Sequence, residues 1–216
     1  MSKLHLLQLD SLAPIYSFPD KPYCAASAFC VVLNYRLYKL GLRAALDPED
    51  LFSRAYPNWT EKCIGPSGQI FRYVELWNEG AISTFPKLEG IFPCAVEKEK
   101  LTAIGSLARL KSFLEDFRPI IVEVPLYLSS FSSPWNGVFA TPSPSDRQAY
   151  LGMHLMVADG YDDEWCSGNS LMRKGALTVR NCWGTSWGIR GRGILPYAYL
   201  ADVRTCYFYV FKWSRT

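Results

Sequence analysis

Long apolar runs are missing from this chain of 216 residues; none reaches the roughly 18 residues that a membrane-spanning helix needs, so no membrane association is expected. An excess of one charge is missing as well. The net charge is +3 and the basic residues are scattered, which argues against a nucleic-acid polymer as the main partner. The chain carries no P-loop, no dinucleotide-type glycine pattern and no paired metal ligands, so no cofactor and no metal are expected. It lacks CxxC pairs, internal repeats and low-complexity tracts. Histidine is scarce, with His5 and His154 alone. The opening MSKLHLLQLDSLAP is a poor export signal, because Gln8 and Asp10 interrupt its short apolar stretch. Cytoplasmic residence as synthesised is expected, with export or injection by a route that needs no signal peptide.

What is present fits a globular chain. Apolar residues make up 49% and charged residues 20%, and the length suits one large domain or two small ones sharing an interface. The seven cysteines are odd in number and irregularly spaced, so an oxidised framework would leave one over. Most of them read as small buried hydrophobes in a reducing compartment. Asn58-Trp59-Thr60 matches a glycosylation sequon and is taken as chance in the absence of an export signal.

The first half reads as helical. Cys24 to Leu40 is apolar nearly all round and stops at Gly41, the pattern of a helix held in an interior. Asp47 and Pro48 mark a second helix start. Ser67 is expected to cap a third helix with an apolar stripe of Ile70, Phe71, Val74 and Trp77. A further helix is predicted from Ser106 to Phe117, its face made by Leu107, Leu110, Leu114 and Phe117. β-rich runs then take over: Pro119 to Leu128, His154 to Tyr161, Ala176 to Trp183 and Cys206 to Trp213. The chain is α+β, a helical lobe over residues 1–110 followed by an antiparallel β lobe over 111–216.

Cys24 opens the buried helix, where backbone N–H groups and the positive end of the dipole can lower a thiol pKa from its ordinary ~8.5. Cys30, six residues on, falls within the helix and reads as core. His154 follows Gly152 at the head of an apolar run, a place where a structural histidine is common. The segment beyond it, GALTVRNCWGTSWGIRGRGILPYAYL, changes that reading.

His154, then Gly160-Tyr161-Asp162, then Asn181-Cys182-Trp183-Gly184-Thr185-Ser186-Trp187-Gly188 resembles the papain and cathepsin family, whose members end a strand in N-S-W-G-x-x-W-G. Cys24 and His154 are 130 residues apart, within the ~130–150 usual there. Cys63-Ile64-Gly65-Pro66-Ser67-Gly68-Gln69 is similar to the family's glycine segment ahead of a helix. RPIIVEVPLYLSSF is similar to the strand after the lobe crossover, and the Gly193 to Leu200 stretch looks most like bacterial members. The resemblance implies a two-lobe fold with a long central helix and an active-site cleft between lobes. It implies Cys24 as nucleophile, paired as thiolate with a protonated His154, and Asn181 as orienter of the imidazole. It also implies Trp183 as a shield over the His154–Asn181 bond, Trp187 as an apolar wall on the leaving-group side, and Gly65 and Gly68 as backbone partners of an extended peptide or protein substrate.

Two positions depart from the family pattern. Phe18 stands where a glutamine normally helps hold the oxyanion; either the Cys24 N–H works with a substitute such as Ser17 or Lys21, or the site is slow or inert, and no residue is assigned to that role. Pro22 stands where a cysteine is usual, so the family disulfide at that position cannot form. With Cys24 so near Met1, no inhibitory pro-segment is expected ahead of it. Control is then expected from a separate inhibitor or immunity protein, strict substrate choice, or delivery into another cell, in keeping with a bacterial effector or toxin-like protease. Two other functions use the same residues: deamidation, transamidation or another acyl transfer through a Cys24 thioester, and an inert papain-fold binding protein.

Overall fold

The computed structural model describes residues 3–6, 9, 13–18, 21–42, 46–59, 66–81, 94–101, 103–128, 136–142, 145, 149–166, 174–202 and 206–213. Helix α1, Cys24–Lys39, is buried along nearly its whole length, from Ala25 to Leu37, as its uniformly apolar sequence requires. It ends in a turn where the Leu42 N–H reaches the Leu37 carbonyl and the Gly41 N–H reaches that of Tyr38, with Gly41 at φ 76°. A left-handed residue at that place lets both terminal carbonyls find donors, which is why glycine is favoured there. Helix α2, Pro48–Ala55, starts as expected, Asp47 accepting the Glu49 N–H at 2.9 Å.

Helix α3, Pro66–Asn78, opens one residue before Ser67, which therefore lies in the first turn rather than ahead of it. Its buried face is Ile70, Tyr73 and Val74, with Trp77 half-buried. Phe71 is 40% exposed and leaves the predicted stripe, because helical spacing puts Tyr73, three residues from Ile70, on the face that Phe71 cannot reach. It ends like α1, with Gly80 at φ 70°. Helix α4, Ala103–Glu115, runs earlier than predicted at both ends. Leu110 and Leu114 are buried, whereas Phe117 lies past the end and is 55% exposed.

The strands form one sheet in the order β2–β7–β3–β4–β5–β6, with β1 paired to β4. They are β1 Lys3–His5, β2 Cys94–Lys100, β3 Ile120–Tyr127, β4 Tyr150–Asp162, β5 Ala176–Arg180, β6 Arg192–Pro196 and β7 Tyr207–Trp213, with α5, Tyr197–Asp202, between the last two. Every pairing between these strands is antiparallel. Strands β1, β2 and β6 were not predicted. The first two precede residue 110 and join the sheet of the later strands. β4 begins four residues before His154, so His154 sits inside a long strand, opposite Val124 of β3. β5 stops at Arg180, which leaves Asn181 just beyond a strand end.

α1 packs against β4 and β3 on one side and against α2 and α3 on the other. The nucleophile candidate at its start is thereby set against the strand that carries His154. Among the described residues, no helix is long and apolar enough to cross a membrane. Six cysteines are free thiols. Cys30, Cys94, Cys182 and Cys206 are buried, Cys24 is half-buried and Cys166 is exposed. Cys63 lies outside the described residues.

Candidate active site

Tyr23 precedes α1 without a side-chain cap, and the first intrahelical bond runs from the Ser27 N–H to the Tyr23 carbonyl at 2.8 Å. The N–H groups of Cys24 and Ala25 are thus left for the Cys24 sulfur, and the N–H of Leu155 on β4 joins them. All three pull the thiol pKa down. Burial acts more strongly in the opposite sense, the Glu123 carboxylate adds to it, and the thiol lies above its ordinary value. Part of Cys24 reaches solvent, but the sulfur is packed around by protein, so loss of hydration dominates.

His154 is buried, and its Nε2 lies 2.8 Å from Asn181 Oδ1. The same oxygen accepts the Cys182 N–H at 2.8 Å, so the carboxamide points its oxygen toward both donors. An amide oxygen cannot donate, so the Nε2 carries the proton and Nδ1 is left as the basic nitrogen. Trp183 stacks on the imidazole, with centroids 4.8 Å apart and planes 28° from parallel. Burial lowers the His154 pKa to about 4, against the upward pull of the Asn181 bond.

Taken one group at a time, burial favours the neutral thiol of Cys24 and the neutral imidazole of His154. For each group its own loss of hydration outweighs the donors around it. Among the described residues no hydrogen bond joins the Cys24 sulfur to the His154 ring. The link between them runs through Leu155, the next residue along β4.

The loop bearing Asn181 and Trp183 is tied to the segment ahead of the nucleophile. The Phe18 N–H donates to the Cys182 carbonyl at 2.6 Å and the Gly184 N–H to the Tyr16 carbonyl at 2.9 Å. Gly184 has φ 84°, and a Cβ there would lie 2.6 Å from Ser17 Oγ. Cys24, Asn181 and Cys182 all line one small cavity of about 10 Å³ between α1 and the β4–β5 side.

No protein-family model matches the chain. A stretch of 89 residues is 36% identical to digestive cysteine proteinase 1 of Homarus americanus, 41% of this chain and 24% of that protein. The match thus spans about a quarter of that relative's length. Xylellain, a cysteine protease from Xylella fastidiosa, superposes with a TM-score of 0.69 at 17% identity, over 100% of this chain and 87% of that one. A Carica candamarcensis cysteine protease solved in complex with E-64 gives 0.64 at 14%, over 96% and 97%. A procathepsin B from Trypanosoma congolense gives 0.64 at 11%, over 100% and 78%. The fold is that of the papain-like cysteine proteases.

Within this papain-like fold the remaining predicted residues are placed unevenly. Trp187 is buried behind Trp183, edge-on to it at 5.4 Å and against Phe139 at 5.7 Å, so it braces the loop as well as adding apolar bulk. Gly68 lies in the first turn of α3, not in an extended segment ahead of it. Gly65 lies outside the described residues. Both suggested substitutes for the oxyanion glutamine have other neighbours. Lys21 is held by Glu49 at 3.0 Å, and Ser17 lies against Gly184. The Phe18 ring is packed edge-on to Tyr23 at 5.1 Å.

One participant was not legible in the sequence. Glu123 is 1% exposed, paired with Lys98 at 2.7 Å and accepting the Tyr209 hydroxyl at 2.6 Å. It stands opposite Leu155 across the β3–β4 pair, and its charge bears on Cys24. A lone glutamate in an apolar strand was the available signal, since a buried carboxylate requires partners.

Proposed function

We propose that the chain is a papain-type cysteine peptidase in which Cys24 attacks the carbonyl carbon of a peptide bond, His154 moves the proton and Asn181 holds the imidazole. The observation that carries this reading is the Asn181 oxygen, which accepts two N–H groups at once and so leaves His154 Nδ1 as a base, one residue along β4 from Leu155, whose N–H reaches the Cys24 sulfur.

The neutral resting pair sets the order of events. As the sulfur attacks, its proton passes to His154 Nδ1, and the imidazolium formed is stabilised through Nε2–H by the carboxamide. The tetrahedral intermediate collapses, and the departing amine takes the proton back. A thioester then joins the acyl group to Cys24. Water attacks it with His154 again as base, releasing the acid and restoring the thiol. The Cys24 N–H is a backbone donor for the developing oxyanion. With Phe18 in place of a side-chain donor, turnover is expected about 10²–10³-fold below that of a site with both donors.

The test combines labelling with product analysis. E-64 is expected to add covalently to Cys24, and N-terminal profiling of cells expressing wild type against Cys24→Ala is expected to show new termini with wild type alone. The product mass of a cleaved peptide separates hydrolysis from acyl transfer to an amine. No labelling together with identical profiles would reduce the protein to a binding module on a peptidase fold.

A further inference from the structure

The last residue of α1 is Lys39, 15 residues from Cys24 and so roughly 22 Å away along the helix axis. A cavity of about 290 Å³ opens there, between the end of α1, the turn after α4 and strand β7. Its size falls near the lower end for small-molecule sites. Its walls combine flat apolar surface with positive charge. The Arg36 guanidinium lies over the Trp213 ring at 5.9 Å, and the Lys39 ammonium lies over Tyr35 at 5.6 Å and Phe117 at 5.8 Å. Three cations, Arg36, Lys39 and Arg118, meet one carboxylate, Asp116, which is 3.3 Å from Arg118. Lys39 faces rings and, among the described residues, no carboxylate.

A second observation comes from the backbone. α1, α3 and α4 end in the same turn, with paired bonds from the two residues past the helix back to its last carbonyls. The left-handed position is Gly41 in the first and Gly80 in the second, but Phe117 at φ 56° in the third. A bulky side chain there is strained where glycine is relaxed. Phe117 gains little burial in return, being 55% exposed. Strain kept at an exposed ring on the lip of a cavity is the mark of a functional position.

We propose that this pocket binds a small amphipathic carboxylate, a flat apolar body carrying one acid group. The body stacks on Phe117 and abuts Trp213, whose ring is already stacked on Phe211 and covered by Arg36, and the acid group reaches Lys39 and Arg118. The charge complementarity selects an anion, and the rings select a planar apolar partner over an inorganic one. The site is independent of the cysteine chemistry.

Calorimetry with 2-naphthoate and its uncharged counterpart 2-naphthamide, on the full chain, tests this. The acid is expected to bind about tenfold or more tighter than the amide, with amide shift changes concentrated at Lys39, Phe117 and Trp213. Lys39→Met, or Arg118→Gln in its place, is expected to bring the acid to the level of the amide. Phe117→Gly is expected to weaken both ligands about tenfold while the melting temperature holds or rises, since the strain is relieved. Equal affinity for acid and amide, no binding of either, or a Phe117→Gly protein that binds like wild type would overturn the proposal.

Discussion

Stability against acid tests the neutral resting pair most directly. His154 is 6% exposed, with its pKa lowered from 6.5 to about 4. Between those two values the unfolded chain takes up a proton that the folded one refuses, so falling pH favours unfolding. The contribution is complete above pH 6.5 and gone once pH has dropped through about 4. A depression of that size corresponds to about 3 kcal/mol. Other carboxylates titrate in the same window, so the quantity to follow is the gap between wild type and His154→Gln. Urea unfolding under reducing conditions, at several pH values from about 7.5 to 4, should show that gap changing by about 3 kcal/mol in the variant's favour as pH falls. Adding Cys24→Ala to both proteins should leave the curve unchanged, because the resting thiol is uncharged. A gap independent of pH would refute the reasoning. A gap moving in wild type's favour toward acid, and abolished by Cys24→Ala, would instead show a thiolate–imidazolium pair at rest.

Three other outcomes follow from the geometry. Asn181→Ala strips the acceptor from two buried donors, His154 Nε2–H and the Cys182 N–H; at ~1–3 kcal/mol for each stranded group, a loss of about 2–6 kcal/mol in denaturant unfolding is expected, with peptidase turnover falling at least about tenfold. Gly188→Ala forces a side chain at φ 56° to within 2.2 Å of the Arg192 carbonyl oxygen, so thermal melts should show a loss above about 3 kcal/mol. Gly41→Ala, with open space around it, should cost only about 1 kcal/mol. Lys98→Met takes the counter-charge from buried Glu123 and leaves it the Tyr209 hydroxyl, at about 3–5 kcal/mol, whereas Glu123→Gln removes a charge that holds the Cys24 thiol up. Iodoacetamide should therefore alkylate Cys24 faster in Glu123→Gln than in wild type at pH 8, and an unchanged rate would count against that coupling.

Much of the candidate site could be read from local patterns. A run of seventeen apolar-rich residues ending at Gly41 specifies a buried helix, because no orientation of such a helix leaves it a wetted face. Cys24 at its head then meets free N–H groups as a consequence of helix geometry. Asn181, Trp183 and Trp187 were identifiable because glycines in left-handed conformations at 184 and 188 impose a spacing that a resemblance can detect. Helix ends were read less well. Ser67 looked like a cap and Ser106 like a helix start, but α3 and α4 each begin earlier, since packing of the buried face sets the boundary and a serine in the first turn costs little.

Strands β1 and β2 were missed for a different reason. KLH and CAVEKEK hold too few apolar residues to declare a strand, and they exist because Asp162 to Gly160 and Trp213 to Tyr207 offer edges to pair with. Register across a sheet depends on a partner distant in the chain, and no window of neighbouring residues contains it.

The sequence by itself determined which side chains can do thiol chemistry and which of them share an element, since helix and strand periods are properties of adjacent residues. Their protonation state was decided only by the tertiary structure. Hydration lost by a sulfur and an imidazole depends on everything packed around them: Leu155 and Glu123 from two strands, Asn181 and Trp183 from one loop. Such a sum over distant residues becomes defined only when the chain has closed.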